Sequence, residues 1–340
     1  MSKAAELAAL IGSQSALSNR NLIINGAMQV AQRGTSSTSA GYQTVDRFKN
    51  AFSGVAVTQS QETLTSGDPY DAGFRYFYRQ TNTSVSSATS AYLQIEQRFE
   101  AQDVSQSGWN YKSSSSHITI SFWARSSLTG TYYVQLRTHD GTEYRRNLSF
   151  TLVADTWKKI EVTTAGNSNL QIDNDNDSGL TVFITPHYGT DFTGGEEIST
   201  TDWFDRNGQA DAYYPDYAQN WSNTASATFD ITGVQLEVGE TATPFEHRSY
   251  GEELALCQRY YNAVADNSFM VNFVVTNNYG IRRGSSLFPQ RMRSAPSVTV
   301  SVSDGSISGA STVDGVIFSQ TGASSTSTPA ITNVTFDSEL

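Results

Sequence analysis

Apolar and polar residues alternate with a period of two along most of the chain from about residue 42 to about residue 245. That period places successive side chains on opposite faces, as half-buried strands require. In the clearest stretch Ile118, Ile120, Phe122 and Ala124 face one way, and Thr119, Ser121, Trp123 and Arg125 face the other. Tyr132, Val134 and Leu136 repeat the pattern, and Leu148, Phe150 and Leu152 resume it after His139-Asp140-Gly141-Thr142. Asp-Gly between two alternating runs predicts a hairpin. Trp157 to Val162, Leu180 to Ile184 and Phe229 to Val238 add further strands, and Asn21 to Gly26 reads as a strand entering an Asn-Gly turn. Many short strands divided by polar turns predict a mainly β fold, an antiparallel β-sandwich of jelly-roll type. No fixed-period repeat is present, which argues against a β-helix or propeller.

Two stretches read as helix. Leu7, Leu10 and Ile11 form one apolar stripe that ends at Gly12. A helix this short is marginal alone, so the reading is either a frayed terminus or an anchor that pairs with copies of itself or docks on another protein. Ser249 with Glu252 three residues on is a capping box, and a helix follows from Glu252 to about Tyr261. Beyond it the strand pattern returns, in Phe269 to Thr276, Val298 to Val302, Val316 to Ser319 and Ile331 to Phe336. The expected organisation is a helical anchor over 1–18, a jelly-roll-like sandwich over 19–248, a linking helix over 249–262 and a smaller C-terminal β domain over 263–340.

Composition narrows the function. Charged residues make up 16% of the 340, against 38% hydrophobic and 11% aromatic. A disordered chain rarely carries so many rings, so this one folds. The formal net charge of −11 repels a phosphate backbone or an anionic bilayer, so neither nucleic acid nor membrane is an expected partner. Cys257 is the only cysteine, which excludes an intrachain disulfide. The first residues do not read as a secretory signal, and no stretch is apolar enough to span a bilayer. Synthesis in a cytoplasm combined with a surface-type composition suits a component of a virus particle.

Candidate chemistry is sparse. There is no Gly-x-Ser-x-Gly elbow, His-Glu-x-x-His or Walker loop. His117, His139, His187 and His247 lack metal-like spacing. Glycosidic cleavage needs two carboxylates at a set separation, and Glu196, Glu197, Asp202, Asp205, Asp211 and Asp216 lie in one loop-rich region; solvated surface charge is the simpler reading, and no enzyme is expected. Asp173, Asp175 and Asp177 alternate as hard oxygen ligands for Ca²⁺ would, although Gly179 falls one place late for an EF-hand and Ile184 stands where its bidentate Glu would be. The other reading is an acidic turn. Trp203, Tyr213, Tyr214, Tyr217 and Trp221 lie among Asp, Asn and Gln. They either stack sugar rings or plug one end of the sandwich or a subunit interface.

Asn19-Arg20-Asn21-Leu22-Ile23-Ile24-Asn25-Gly26-Ala27-Met28 resembles the opening of tailed-bacteriophage tail-fibre and virion structural proteins, as does Tyr42-Gln43-Thr44-Val45-Asp46-Arg47-Phe48. Ile95-Glu96-Gln97, Ile120 to Arg125 and Thr156-Trp157 resemble strands of the carbohydrate-binding-module-like sandwich in such proteins. Ile231 to Gly239, running through Pro244-Phe245-Glu246-His247-Arg248, is the most specific phrase, and Phe288 to Pro296 resembles one from fibre C-terminal domains. The resemblance covers roughly residues 19 to 300. It implies a homotrimeric virion fibre attached to other tail or capsid proteins through its N-terminus and to host cell-surface polysaccharide through its β domains. A head fibre, decoration or connector protein and a polysaccharide depolymerase are the alternatives. It brings no catalytic residues, and the long N-terminal attachment domain of many such fibres has no counterpart here.

Overall fold

The computed structural model describes residues 20–194, 198–206, 213–265, 274–275, 282–302, 306–321 and 331–340; the anchor stripe of Leu7, Leu10 and Ile11 lies outside them. The chain divides into two compact units, Met1–Arg248 and Ser249–Leu340.

The first unit is a two-layer antiparallel sandwich. Its strands are β1 Ser36–Ser37, β2 Lys49–Ser53, β3 Ala56–Thr63, β4 Tyr76–Ser84, β5 Tyr92–Glu100, β6 His117–Ser126, β7 Gly130–Thr138, β8 Tyr144–Leu152, β9 Lys158–Ala165, β10 Ser178–Tyr188, β11 Phe204–Asp205 and β12 Thr228–Val238. Sheet 1 runs β1-β3-β4-β12-β6-β9 and sheet 2 runs β11-β8-β7-β10-β5-β2. Short helices α1 (Asp68–Asp71) and α2 (Ala101–Ser105) join strands. The predicted hairpin is the β7–β8 pair, with Gly141 at φ 65° in its turn, a value that favours glycine. Ile118, Ile120 and Phe122 from sheet 1 share one buried core with Val134, Leu136, Leu180, Val182 and Ile184 from sheet 2. Each fully buried side chain of this kind contributes roughly 1.5–3 kcal/mol, and this core is the main source of stability.

Asn21 to Gly26 is not a ladder strand. It runs along β12, where the Leu22 amide donates to the Leu236 carbonyl (2.9 Å) and the Val234 amide to the Gly26 carbonyl (3.0 Å). The Asn21 Oδ1 accepts from the amides of Ile23 and Leu236, both at 3.0 Å. A Cβ on Gly26 would sit 2.1 Å from the Val234 carbonyl oxygen, so only glycine fits this seam. Arg248 closes it by donating to the carbonyls of Ile23 and Asn21, while Glu246 accepts from the Asn21 amide at 2.8 Å. The phrases at Asn21 and at Ile231–Arg248 are thus one structural unit. Asp46 is buried and accepts from the amide and side chain of Gln32, with Arg33 at 3.9 Å. Arg47 donates to the Arg98 carbonyl at 2.6 Å.

In the second unit α3 spans Tyr250–Gln258 behind the expected capping box. It ends earlier than Tyr261 because that residue opens β13 and pairs with Asp337. The helix is grouped with the second unit instead of standing as a separate link. β13 Tyr261–Ala265, β16 Ser297–Val302 and β19 Ile331–Asp337 form one sheet in the order β13-β19-β16. β14 Val274–Val275, β15 Arg282–Leu287, β17 Ser306–Ser311 and β18 Gly315–Thr321 form another, ordered β14-β15-β18-β17. Met292, Val316, Phe318, Val334 and Phe336 are its buried core. Most of the expected Phe269 to Thr276 strand lies outside the described residues. No described helix is long and apolar enough to cross a membrane.

A candidate ligand-binding face on the second sheet

Sheet 2 sends alternate residues into the core, so the intervening ones line its outer face. Register places Thr181 between Arg98 and Arg137, with Arg137 opposite Arg145. In the adjoining row Phe183 lies between Glu96 and Gln135, Gln135 is opposite Asn147, and Glu96 is opposite Lys49.

The charges on this face are shared. The Glu96 Oε1, on a side chain 2% exposed, takes Lys49 Nζ at 3.0 Å and an Arg98 nitrogen at 3.1 Å. Glu143 takes Arg145 and Arg137, both at 2.7 Å. Burial alone would raise the pKa of Glu143, but Arg145 and Arg137 outweigh it and hold the carboxyl below its ordinary value. Burial pulls the Arg137 pKa down, and Glu143 only partly offsets this. The buried Arg137 Nε has no hydrogen-bond partner. His139, its Nε2 2.7 Å from the Thr181 Oγ1, is held at a pKa of about 4, first by burial and then by Arg137 and Arg98. It is neutral at pH 7.

The segment between β10 and β12 folds back over the same face. The carbonyl of Tyr213 accepts from Gln135 Nε2 (2.9 Å) and Asn147 Nδ2 (3.0 Å). The Tyr217 hydroxyl donates to Thr185 Oγ1 at 2.7 Å, and the Tyr133 hydroxyl to the Asp216 carbonyl at 3.1 Å. Buried Gln135 and Asn147 thus satisfy a loop backbone that would otherwise lack partners. Tyr92, Tyr133, Tyr188, Phe192, Tyr213, Tyr214 and Tyr217 form one connected ring cluster. Tyr92 stacks on Tyr188 at 5.3 Å and 13°, and Phe192 on Tyr213 at 6.0 Å and 19°. Guanidinium groups of Arg145 and Arg206 lie 4.5 and 4.2 Å from the Tyr213 ring centroid. Burial pushes the hydroxyl pKa values of Tyr188, Tyr214 and Tyr217 well up, so all three stay protonated. Beside Tyr188 and Tyr217 lies a cavity of about 520 Å³, edged by Ser87, Thr89, Thr190, Thr193, Asp216 and Asn220. His187 stands at its wall, with Nε2 3.0 Å from the Ser222 Oγ, and burial lowers its pKa to about 4.

The five aromatic candidates therefore separate. Tyr213 and Tyr217 come together on the face and are half-buried, whereas Tyr214, at 1% exposure, joins their ring cluster from beneath and offers no ring face of its own. Trp203 and Trp221 belong to the core instead, at 6% and 0% exposure, and offer no ring face to a ligand. Trp203 donates its indole N–H to the Ala165 carbonyl at 2.8 Å and packs against Trp109. Trp221 closes one end of the sandwich, where Asn82 Nδ2 donates to the carbonyls of Trp221, Ser222 and Thr224. Sequence reasoning missed Tyr92, Tyr188, Phe192, Arg98 and Arg137. The signal was available in Tyr92-Leu93-Gln94-Ile95-Glu96-Gln97-Arg98, whose outward positions are Tyr, Gln, Glu and Arg.

Asp173, Asp175 and Asp177 are exposed, and no group of three or more metal-type side chains converges among the described residues. The run forms a turn that binds α2, its Asp177 and Asp175 carbonyls accepting from the amides of Ala101 and Gln102, both at 2.8 Å. The Asp175 carboxylate accepts from the Asp177 amide at 3.0 Å. Burial and then the neighbouring Asp173, Asp175 and Asp177 raise the Asp140 pKa against a hydrogen bond from Asp173. Glu196, Glu197 and Asp211 lie outside the described residues.

No family model matches the sequence, and no curated protein matches it. Among solved structures the chain is similar to the enzymatically active domain of tailspike protein 4 of bacteriophage CBA120, at 11% identity and a TM-score of 0.36, over 65% of this chain and 22% of that one. It is similar to a CBM4 structure at 13% identity and a TM-score of 0.32, over 64% and 99%. A family 11 carbohydrate-binding module from a Clostridium thermocellum cellulosomal cellulase aligns at 12% identity and a TM-score of 0.30, over 63% and 98%.

Proposed function

We propose that this chain is a non-catalytic glycan-binding protein whose ligand lies across the outer face of sheet 2. The observation that supports it is a cluster of aromatic rings, of which Tyr92, Tyr188, Phe192, Tyr213 and Tyr217 are half-buried, beside a field of planar polar side chains on one face. A pyranose has an apolar C–H side that suits a ring face and hydroxyls that suit amides, guanidinium groups and carboxylates. Tyr92 and Arg98 stand six residues apart on β5, roughly 20 Å at about 3.4 Å per residue. That length accommodates an extended oligosaccharide, and the cavity beside Tyr217 supplies a deeper pocket at one end.

The setting we propose is a bacteriophage particle, with the chain as a homotrimeric fibre subunit that attaches to host-surface polysaccharide. This rests on the phrases at Asn19–Met28 and Ile231–Arg248, of which Asn21 to Gly26, Val234, Leu236 and Arg248 meet in the seam along β12. Anchoring to other virion proteins is assigned to the stretch before residue 19, and calcium at Asp173–Asp177 is not part of the reading. A glycan array with the whole chain, followed by adsorption assays on cells carrying the bound glycan, tests it. Binding that is lost in Tyr188→Ala and Tyr92→Ala is the expected result. Absence of binding to any glycan, with immunogold label on the capsid, would leave a purely structural role.

A further inference from the structure

Lys49, Arg98, Arg137 and Arg145 share two carboxylates, Glu96 and Glu143. Among these six side chains two positive charges are left over, beside Arg206 and Asp216 of the overlying segment, in a chain whose net charge is −11. The outer face of sheet 1 shows what a self-contained arrangement looks like. There Asp230 takes Arg79 and Arg125 at 2.8 Å each, and both guanidinium groups also lie against rings. Arg79 is 5.1 Å from the Phe77 centroid and Arg125 is 4.7 Å from that of Trp157. The Glu62 carboxylate, acting on Arg79, and the ring faces absorb that excess charge. On sheet 2 Arg145 has such a face in Tyr213, whereas Arg137 is bonded through one nitrogen to Glu143 and keeps a buried Nε without a partner. An unmade hydrogen bond on a part-buried guanidinium is costly, and a planar oxyanion is the group its fork fits best.

We propose that the glycan recognised on sheet 2 is acidic, with a sugar carboxylate received by Arg137 and flanked by Arg98 and Arg145. The proposal rests on the glycan-binding reading of this face and adds the charge of the ligand. His139 stands beside the same row, its Nε2 2.7 Å from the Thr181 Oγ1; burial first, and then Arg137 and Arg98, keep it neutral, so it adds a hydrogen-bonding group without adding to the cation excess.

The test is an array of uronic-acid-containing oligosaccharides, each printed beside its carboxyl-reduced form. Preference for the acidic member, weakening as salt rises through screening, is expected. Arg137→Gln should weaken acidic binding about tenfold or more and weaken binding to reduced forms by less, so that the preference for the acidic member narrows; an equal loss for both would overturn the acidic assignment. Lys159→Gln on sheet 1 controls for loss of positive charge in general, and thermal midpoints confirm that each variant is folded. Equal binding of acidic and reduced members overturns the acidic assignment and leaves the glycan reading standing. No binding to any member, acidic or reduced, removes both.

Discussion

The outer faces of the two sheets carry similar residue types and arrange them differently. Both have arginines bound to carboxylates and both have aromatic rings, but on sheet 1 the register adds Glu62, Glu161 and Glu237 to Asp230 on the same face. On sheet 1 the rings pack inward onto one another: Phe74 and Phe77 are buried with Leu64 in a small cluster, joined by Trp123, Trp157 and Phe245. Gly233, at φ 63° on the bulge of β12, lets the Phe74 ring rest on the backbone; a Cβ there would lie 2.5 Å from Phe74 Cζ. His247 stacks on the same cluster. That face satisfies its own arginines with its own carboxylates and rings. On sheet 2 Arg145 and Arg206 also lie against a ring, that of Tyr213, but the buried Arg137 Nε is left without a hydrogen bond. The lesson is that composition does not separate a structural face from the proposed binding face; the partners left to each charge do.

The comparison can be broken at several points, beginning with the largest effect. Trp221→Ala should destabilise the first unit by about 4 kcal/mol, because the emptied core site cannot collapse fully. A sugar-stacking tryptophan would instead leave the denaturation midpoint nearly unchanged. Asp230→Ala should cost roughly 3 kcal/mol, since it leaves two arginines on sheet 1 without their buried partner. Glycan binding should survive under conditions where that variant is folded; loss of binding would mean the two faces are not independent.

Acid should act through the neutral histidines. His187 is held at about 4 in the folded chain, below its ordinary value near 6.5, so the unfolded state binds more protons between those limits. Stability is therefore complete above about pH 6.5 and falls as pH drops toward 4, by about 2 kcal/mol at pH 5 for this one group. Melting curves across that range should flatten in His187→Gln, and an unchanged slope would remove His187 from the account. The smallest effect concerns His139. Arg137→Gln should raise its pKa, because a neighbouring positive charge is removed, and imidazole shifts on titration read this directly.

Much of the sandwich was legible because a buried face imposes a strict period. Ile118 to Arg125, the Asp140-Gly141 turn and the Ser249–Glu252 cap all appear where local chemistry predicts them. Asn21 to Gly26 misled because its apolar residues line a seam along β12 without joining a ladder. β15 and β17 were invisible, since Arg282–Leu287 and Ser306–Ser311 are rich in Ser and Gly and lack an apolar alternation. The site was legible in part for a related reason. Three tyrosines in a polar loop point to a face, but the two tryptophans beside them in sequence are drawn inward by their larger apolar area. Arg98 and Arg137 sit at outward strand positions, where a lone sequence gives solvated charge and binding charge the same pattern.

The central claim is that the ligand-binding face belongs to sheet 2. Chemical-shift mapping with the strongest glycan from the array addresses it most directly. The account predicts perturbations at Tyr92, Arg98, Arg137, Tyr188 and Tyr213, with the sheet 1 residues around Trp123, Lys159 and Phe245 unmoved. Perturbations confined to Trp123, Lys159 and Phe245 would contradict it.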